Sequence, residues 1–170
     1  WPLSGTVHAM PTPADRVDTA EQPLIEVRDA WVSFGGVPVL RGIDLAVRAG
    51  EVVVIIGPSG SGKSTLLRTM NGLVPLDAGD VRFEGAVLPA DPKALAPIRA
   101  RLGMVFQSFN LFADLSVLEN VTLAPVRVLG LPHEDARERA LRLLDQVGVG
   151  GQADKAPSEL SGDQQQQVAI

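Results

Sequence analysis

The chain has no cysteine. That excludes a disulfide framework and any thiolate metal centre. It also lacks a basic excess: 15 Lys and Arg stand against 20 Asp and Glu, a formal net charge of −5. A general nucleic-acid binder usually carries a basic face, so no nucleic-acid partner is expected. A local phosphate site stays compatible with that balance. No apolar run is long enough to span a bilayer. The opening stretch, Trp1 to Gln22, has neither the basic start nor the apolar core of a signal peptide. It is rich in Pro, Thr, Ala and Asp, and residues 1–23 read as a disordered lead-in. The first residue is not Met, so either Met10 is the start or the sequence is a fragment. The length of 170 residues allows one domain with room for two lobes. A cytoplasmic setting is expected.

What the chain does have is Gly57-Pro58-Ser59-Gly60-Ser61-Gly62-Lys63-Ser64-Thr65. It fits the phosphate-binding loop pattern of Gly, four residues, Gly, Lys, then Ser or Thr. Glycine lets the backbone turn tightly and come close to a polyphosphate. Loop amides then converge on phosphate oxygens. Lys63 reaches the β- and γ-phosphates, and the Ser64 hydroxyl suits Mg²⁺, a hard cation. The helix behind the loop points its positive end at the anion. Context supports this over an incidental glycine-rich turn. Glu51 to Ile56 is β-branched and reads as a strand buried on both faces. Leu66, Leu67, Met70 and Leu73 recur at helical spacing, with Gly72 as the stop. The candidate nucleotide-binding residues here are Gly57, Ser59, Gly60, Ser61, Gly62, Lys63, Ser64 and Thr65.

Along the rest of the chain, Leu24 to Val32 reads as a strand, Gly35-Gly36 as a hairpin turn and Val37 to Val47 as a second strand. Asp77-Ala78-Gly79 reads as a turn, followed by a strand through Val81 and Phe83. Three prolines between Leu88 and Arg101 predict a short, irregular helix. Leu102 to Phe106 reads as another buried strand ending at Gln107. A parallel core strand beside antiparallel ones is thus expected. Ser116 and Glu119 have capping-box spacing. A further helix opens at Pro132, with Ala136, Ala140, Leu143, Leu144 and Val147 on its apolar face, and stops at Gly148. Its charged residues read as a solvated face without chemistry. Ser161 with Gln164 repeats the capping box and starts a helix, a second possible anion site. The glutamine run after it is short, and its place behind a cap favours helix over a low-complexity tract.

From Leu24 to Ile170 the chain resembles the ATP-binding cassette (ABC) family, the nucleotide-binding subunits of ABC transporters. The linked motifs stand in the family's order. Phe34 matches the aromatic that stacks on adenine, where a lone Phe would otherwise be core. Gln107 matches the glutamine that touches Mg²⁺ and the attacking water. Leu160-Ser161-Gly162-Asp163-Gln164 matches the signature, normally Leu-Ser-Gly-Gly-Gln. Val39 to Ile43, Asn110 to Phe112 and Glu119 to Pro125 look like bacterial importers of polar amino acids. Two departures stand out. Asp163 replaces a signature glycine and Gln167 an arginine. The chain also ends at Ile170, where the family continues into the Walker B strand with its metal-linked aspartate and catalytic glutamate. His8 and His133 do not match the family's switch histidine.

The resemblance implies an α/β fold: a P-loop NTPase core with an antiparallel β lobe (24–107) and a helical lobe with the signature helix (108–170), incomplete at the C-terminus. It implies ATP and Mg²⁺ as cofactors, with Lys63 and Gln107 catalytic and Ser64 and Gln107 on the metal. Phe34, Ser161, Gly162, Asp163 and Gln164 join the nucleotide-binding set. The partners implied are a second nucleotide-binding subunit in a head-to-tail dimer, a transmembrane permease subunit and, indirectly, a solute-binding protein. The setting implied is the cytoplasmic face of the membrane. Phe109, Leu111, Phe112 and Leu115 are expected to supply part of a groove for the permease. Whether the chain hydrolyses ATP is left open, because no residue matches the catalytic glutamate; the alternative is a nucleotide-binding or regulatory module without turnover. A P-loop kinase or GTPase is disfavoured, since those lack the Leu-Ser-Gly signature.

Overall fold

The structure, a computed structural model, describes residues 22–170. Apart from Gln22 and Pro23, the expected lead-in lies outside the described residues, as do His8 and Met10. The chain divides into two compact units, up to Leu102 and Gly103–Ile170.

The first unit is built on a hairpin. Strand β1 (Ile25–Phe34) and strand β2 (Val37–Val47) pair antiparallel across the Gly35-Gly36 turn, from Phe34 opposite Val37 to Ile25 opposite Val47, with register shifts between Val27 and Ser33. Strand β3 (Ala78–Phe83) pairs with the other edge of β1, and β4 (Ala86–Val87) pairs with β3. The sheet order is β2-β1-β3-β4. Alternating inward residues Val27, Ala30, Val32, Leu40 and Val81 bury one face, and Leu66 of helix α1 (Lys63–Met70) seals it. Helix α2 (Pro92–Arg99) is short, as the prolines predict, and capped by Asp91, and it runs through Pro97 without a break. It returns to α1 through Arg99, whose guanidinium donates to the carbonyls of Asn71 (3.0 Å) and Gly72 (2.8 Å). A cation on the last carbonyls of a helix is favourable by charge as well as by hydrogen bonding. Arg101, next along, forks onto the Glu84 carboxylate and lies over the Phe83 ring.

Three expectations are corrected here. Residues 52–56 form no strand; they have no regular secondary structure and are mostly exposed, with Val52 87% accessible and Val54 and Ile56 also open, while Ile55 alone packs on the core. Leu102 to Phe106 likewise forms no strand, and Val105 is exposed. All strand pairs among the described residues are antiparallel, so the expected parallel core strand is absent there. The physical reason is common to these segments: a strand exists only through a ladder to a neighbouring strand, and no strand pair among the described residues includes either segment. Third, Ala78 and Gly79 lie inside β3 rather than in a turn. The pairing of β1 with β3 shifts between Arg28 and Trp31, where Asp29 has φ 44. Opposite that bulge a Cβ on Gly79 (φ 87) would collide with the carbonyl oxygens of Arg28 and Asp29. The glycine serves a close backbone approach across strands, not a reversal of the chain.

The second unit is helical. Helix α3 (Val117–Arg127) and helix α4 (His133–Gln146) pack with two short 3₁₀ turns, Gly150–Gln152 and Pro157–Glu159, and with helix α5 (Gly162–Ala169). Its core is Val117, Leu118, Ala140, Leu144, Val149, Ala153, Leu160 and Val168. Both predicted capping boxes form, Ser116 with Glu119 and Ser161 with Gln164. The first amides of α3 also donate to backbone carbonyls, Val117 to Lys155 and Leu118 to Ala153, each at 2.9 Å. Helix α4 buries Ala136, Ala140 and Leu144, a straight i, i+4, i+8 stripe. Leu143, expected on that face, is 44% exposed, because it sits one residue around the helix from the stripe.

Candidate nucleotide-binding site

The loop 57–62 follows the irregular segment 52–56 and ends in α1. Gly62 is the N-cap of α1 and lies in the left-handed region, φ 91. A Cβ there would stand 3.1 Å from Leu40 Cδ2 and 3.2 Å from the Val39 carbonyl oxygen. So glycine is required twice over, by its dihedral and by the hairpin pressed against it. The same hairpin carries Phe34 at the end of β1, and that ring is 53% exposed. An exposed aromatic beside a turn is free to stack on a flat ligand.

Lys63 opens α1. Its ammonium donates to the carbonyl oxygens of Gly57 (2.8 Å) and Pro58 (2.7 Å) and approaches Ser61 Oγ at 3.5 Å. The side chain therefore closes the loop on itself and holds a positive charge among the loop atoms. A further backbone bond, Ser61 N–H to Pro58 O at 3.3 Å, sets the turn within it. The Ser64 hydroxyl is exposed on the first turn, while Thr65 is half-buried beneath it. Ser59 and Gly60 are exposed.

The start of α1 differs from three of the other helix starts, and shares with α4, whose N-cap is Pro132, the lack of a side-chain cap. Helices α2, α3 and α5 each have a side chain accepting from first-turn amides, from Asp91, Ser116 and Ser161. Helix α1 has no side-chain cap. Its first-turn N–H groups are thus left for an acceptor from outside, and the dipole adds to the lysine charge. An uncapped helix start, an ammonium held on two loop carbonyls and a glycine loop are the elements that an anion site for a polyphosphate needs.

The remaining predicted residues belong to the second unit. Gln107 sits in a turn with its side chain exposed. Ser161, Gly162 and Asp163 are exposed at the start of α5, and Gln164 is half-buried. Here the Ser161 hydroxyl already accepts from Gln164 N–H (3.3 Å), and the Gln164 side chain accepts from Ser161 N–H (3.0 Å). Asp163 adds a carboxylate in the same first turn. Of the cluster after Gln107, Leu111 packs on the core, whereas Phe112 is 58% exposed. No group of three or more His, Cys, Asp or Glu able to hold a metal occurs among the described residues. A metal held by one hydroxyl, phosphate oxygens and water would need no such cluster, which is the usual habit of Mg²⁺.

One residue was not singled out from the sequence. Asn120, in the first turn of α3, accepts from the Phe112 N–H at 2.7 Å and donates to the carbonyls of Phe112 (3.1 Å), Leu115 (3.2 Å) and Ser116 (2.9 Å). The available signal was an asparagine inside a helix, where its propensity is poor and its side chain competes for backbone groups.

No helix among the described residues is long and apolar enough to cross a membrane. Comparison with known proteins agrees with the geometry. Residues 40–170 match the family model described as ABC transporter. The chain is 53% identical to the glutamate transport ATP-binding protein GluA of Corynebacterium glutamicum over 147 residues, 86% of this chain and 61% of that protein. It is 48% identical to the glutamate/aspartate import ATP-binding protein GltL of Escherichia coli K12, with the same coverage. The chain thus spans about 61% of the length of these curated relatives. Among solved structures, a dimeric ATP-binding cassette, MJ0796, bound to ADP and Pi, superposes with a TM-score of 0.77 at 34% identity, covering 85% of this chain and 66% of that one. An uncapped helix behind a lysine-closed glycine loop is thus accompanied by family-level similarity across most of the sequence, and the chain belongs to the ABC transporter family.

Proposed function

We propose that this chain is the nucleotide-binding part of an ABC importer subunit serving polar amino acids. The observation that carries the proposal is the start of α1: Lys63 among the loop atoms and a first turn without a side-chain cap. In this reading the loop amides and Lys63 hold the phosphates of ATP, and Phe34 stacks on the base. On the first unit Ser64 would offer Mg²⁺ a hydroxyl beside phosphate oxygens and water; Gln107, on the second unit, is a candidate metal ligand by family likeness. The chemistry served is phosphoryl transfer to water, in which positioning and charge stabilisation supply most of the catalysis. A second nucleotide-binding subunit would meet the Ser161–Gln164 helix start, and a permease subunit at the cytoplasmic face of the membrane would take up the work. A solute-binding protein would act through that permease. The amino-acid class rests on the relatives, which are named for glutamate and aspartate transport.

Lys63 must leave its carbonyl partners to meet a phosphate, so it gains less than a free ammonium would. Charge-assisted hydrogen bonds contribute about 1.5–3 kcal/mol each. Lys63→Ala is therefore expected to weaken MgATP binding roughly ten- to 150-fold. Equilibrium titration with a fluorescent ATP analogue reads this out. Equal affinity in the two chains would remove the phosphate-site assignment.

A further inference from the structure

We propose that Val39 is a positioning residue that fixes the spacing between Phe34 and the start of α1, so that one nucleotide meets both at once. This rests on the reading of Phe34 as the ring that stacks on the base. Every link in the connection is a strand pair or a contact within the first unit. Phe34 stands opposite Val37, and Ser33 opposite Pro38. Gly35 and Gly36, with φ of 57 and 80, join them in a tight two-residue turn, the kind that keeps a hairpin closed at its tip. The register then jumps: Val32 stands opposite Leu40, which leaves Val39 with no residue opposite it. That is a β-bulge, and a bulge re-aims its extra residue. Here it aims at the phosphate loop. A Cβ on Gly62, the N-cap of α1, would lie 3.2 Å from Val39 Cγ1 and 3.2 Å from the Val39 carbonyl oxygen. Side chain and backbone of the bulged residue are thus both pressed on the glycine that starts the helix.

Leu40 stands on the same glycine, its Cδ2 3.1 Å from that Cβ position, but its work is different. It is 3% exposed and shares the core with Leu66 of α1, a contact that holds the hairpin to the helix whatever Val39 does. Val39 is half-buried and nearer the turn. It lies two residues beyond Val37, about 7 Å along the strand. Its removal therefore spares the core contact and frees the tip that carries Phe34. A freed tip still has its ring, but the ring must then be ordered each time a ligand binds, and that cost comes out of the affinity. The residue type fits a spacer. A β-branched side chain is stiff at χ1 and holds its methyl groups close to the backbone. Alanine is too short to reach the glycine, and threonine has nearly the shape of valine.

The test is the ratio of MgATP affinity to magnesium tripolyphosphate affinity, measured by isothermal titration calorimetry on the 170-residue chain. Tripolyphosphate meets the loop alone, so the ratio isolates the share of the base and ribose. A merely structural role would weaken both ligands together and leave the ratio where it was. Phe34→Ala should lower the ratio about fivefold or more, as loss of a stacking platform does. Val39→Ala should lower it about threefold or more, and the double variant should lower it no further than Phe34→Ala alone. Val39→Thr should return the ratio to the wild-type value. A wild-type ratio in Val39→Ala overturns the positioning role, whether or not both affinities fall. So does a Val39→Thr chain as impaired as Val39→Ala. If Phe34→Ala leaves the ratio unchanged, the stacking reading falls and this inference with it. Tripolyphosphate binding that is lost in Lys63→Ala would then still support the phosphate site.

Discussion

Lys63 and Asp163 stand one residue apart in role and opposite in sign, each in the first turn of a helix. At α1 the charge is positive and the cap is missing, so an anion is welcomed. At α5 the cap is present and the first turn already carries a carboxylate. Asp163 favours its own helix, because a negative charge meets the positive end of the dipole. It opposes any second anion brought to the same amides. Two like charges about 4 Å apart repel appreciably even at an effective dielectric near 20, and screening leaves a reduced but real penalty. If a partner's nucleotide meets this helix start, ATP-dependent dimer closure is weakened while binding at the chain's own loop is not. In a family-length cassette carrying this segment, Asp163→Gly should strengthen ATP-dependent dimerisation about tenfold, measured by analytical ultracentrifugation. Equal dimer affinity would dispose of the charge argument. The loop, Lys63 and Asp163 could all be singled out from the sequence, because residue type and short spacing mark them. Asn120 was not, because its meaning depends on where Phe112 folds back.

At the level of elements, the helices were legible, whereas two segments that read as strands are not strands. Capping boxes, proline positions and i, i+4 stripes are local, so Ser116–Glu119, Ser161–Gln164 and the α4 stripe could be read directly. The hairpin was equally local. Val52 to Ile56 and Leu102 to Phe106 have strand composition, yet a strand is a property of its neighbours. The Gly79 bulge also depended on a distant segment, Arg28 and Asp29. The α3 cap gives a direct test. Ser116→Ala removes an acceptor at 3.2 Å from the Glu119 N–H and should cost about 1 kcal/mol in urea unfolding. The same box predicts a pH response. The Glu119 carboxyl is held below its ordinary range, first by the Ser116 backbone N–H and then by the Ser116 side chain. Glu84 is held down chiefly by its hydrogen bond to Arg101 and further by that charge. A carboxyl depressed on folding stabilises the protein above its unfolded value and loses that contribution as the pH falls through the folded one. Stability should therefore decline below about pH 4.5, and less steeply in Glu84→Gln, as followed by thermal melts from pH 6 to 3. Identical acid limbs in the two chains would contradict this.

For the molecule as a whole, the exposed run 51–56 is the main liability. Val52, Val54 and Ile56 point outward from a backbone with no ladder partner among the described residues. Short β-branched segments of low charge without proline pair readily with copies of themselves. The 170-residue chain should associate with time, and Val54→Lys should slow the growth of light scattering at equal concentration. An unchanged rate would acquit the segment. The central claim is that the Gly57–Thr65 loop is where nucleotide binds, and amide hydrogen exchange with and without MgATP tests it most directly. The account predicts slowed exchange concentrated in residues 57–66, absent in Lys63→Ala at the same nucleotide concentration. Protection confined to other segments, or protection of the loop that survives in Lys63→Ala, would contradict it.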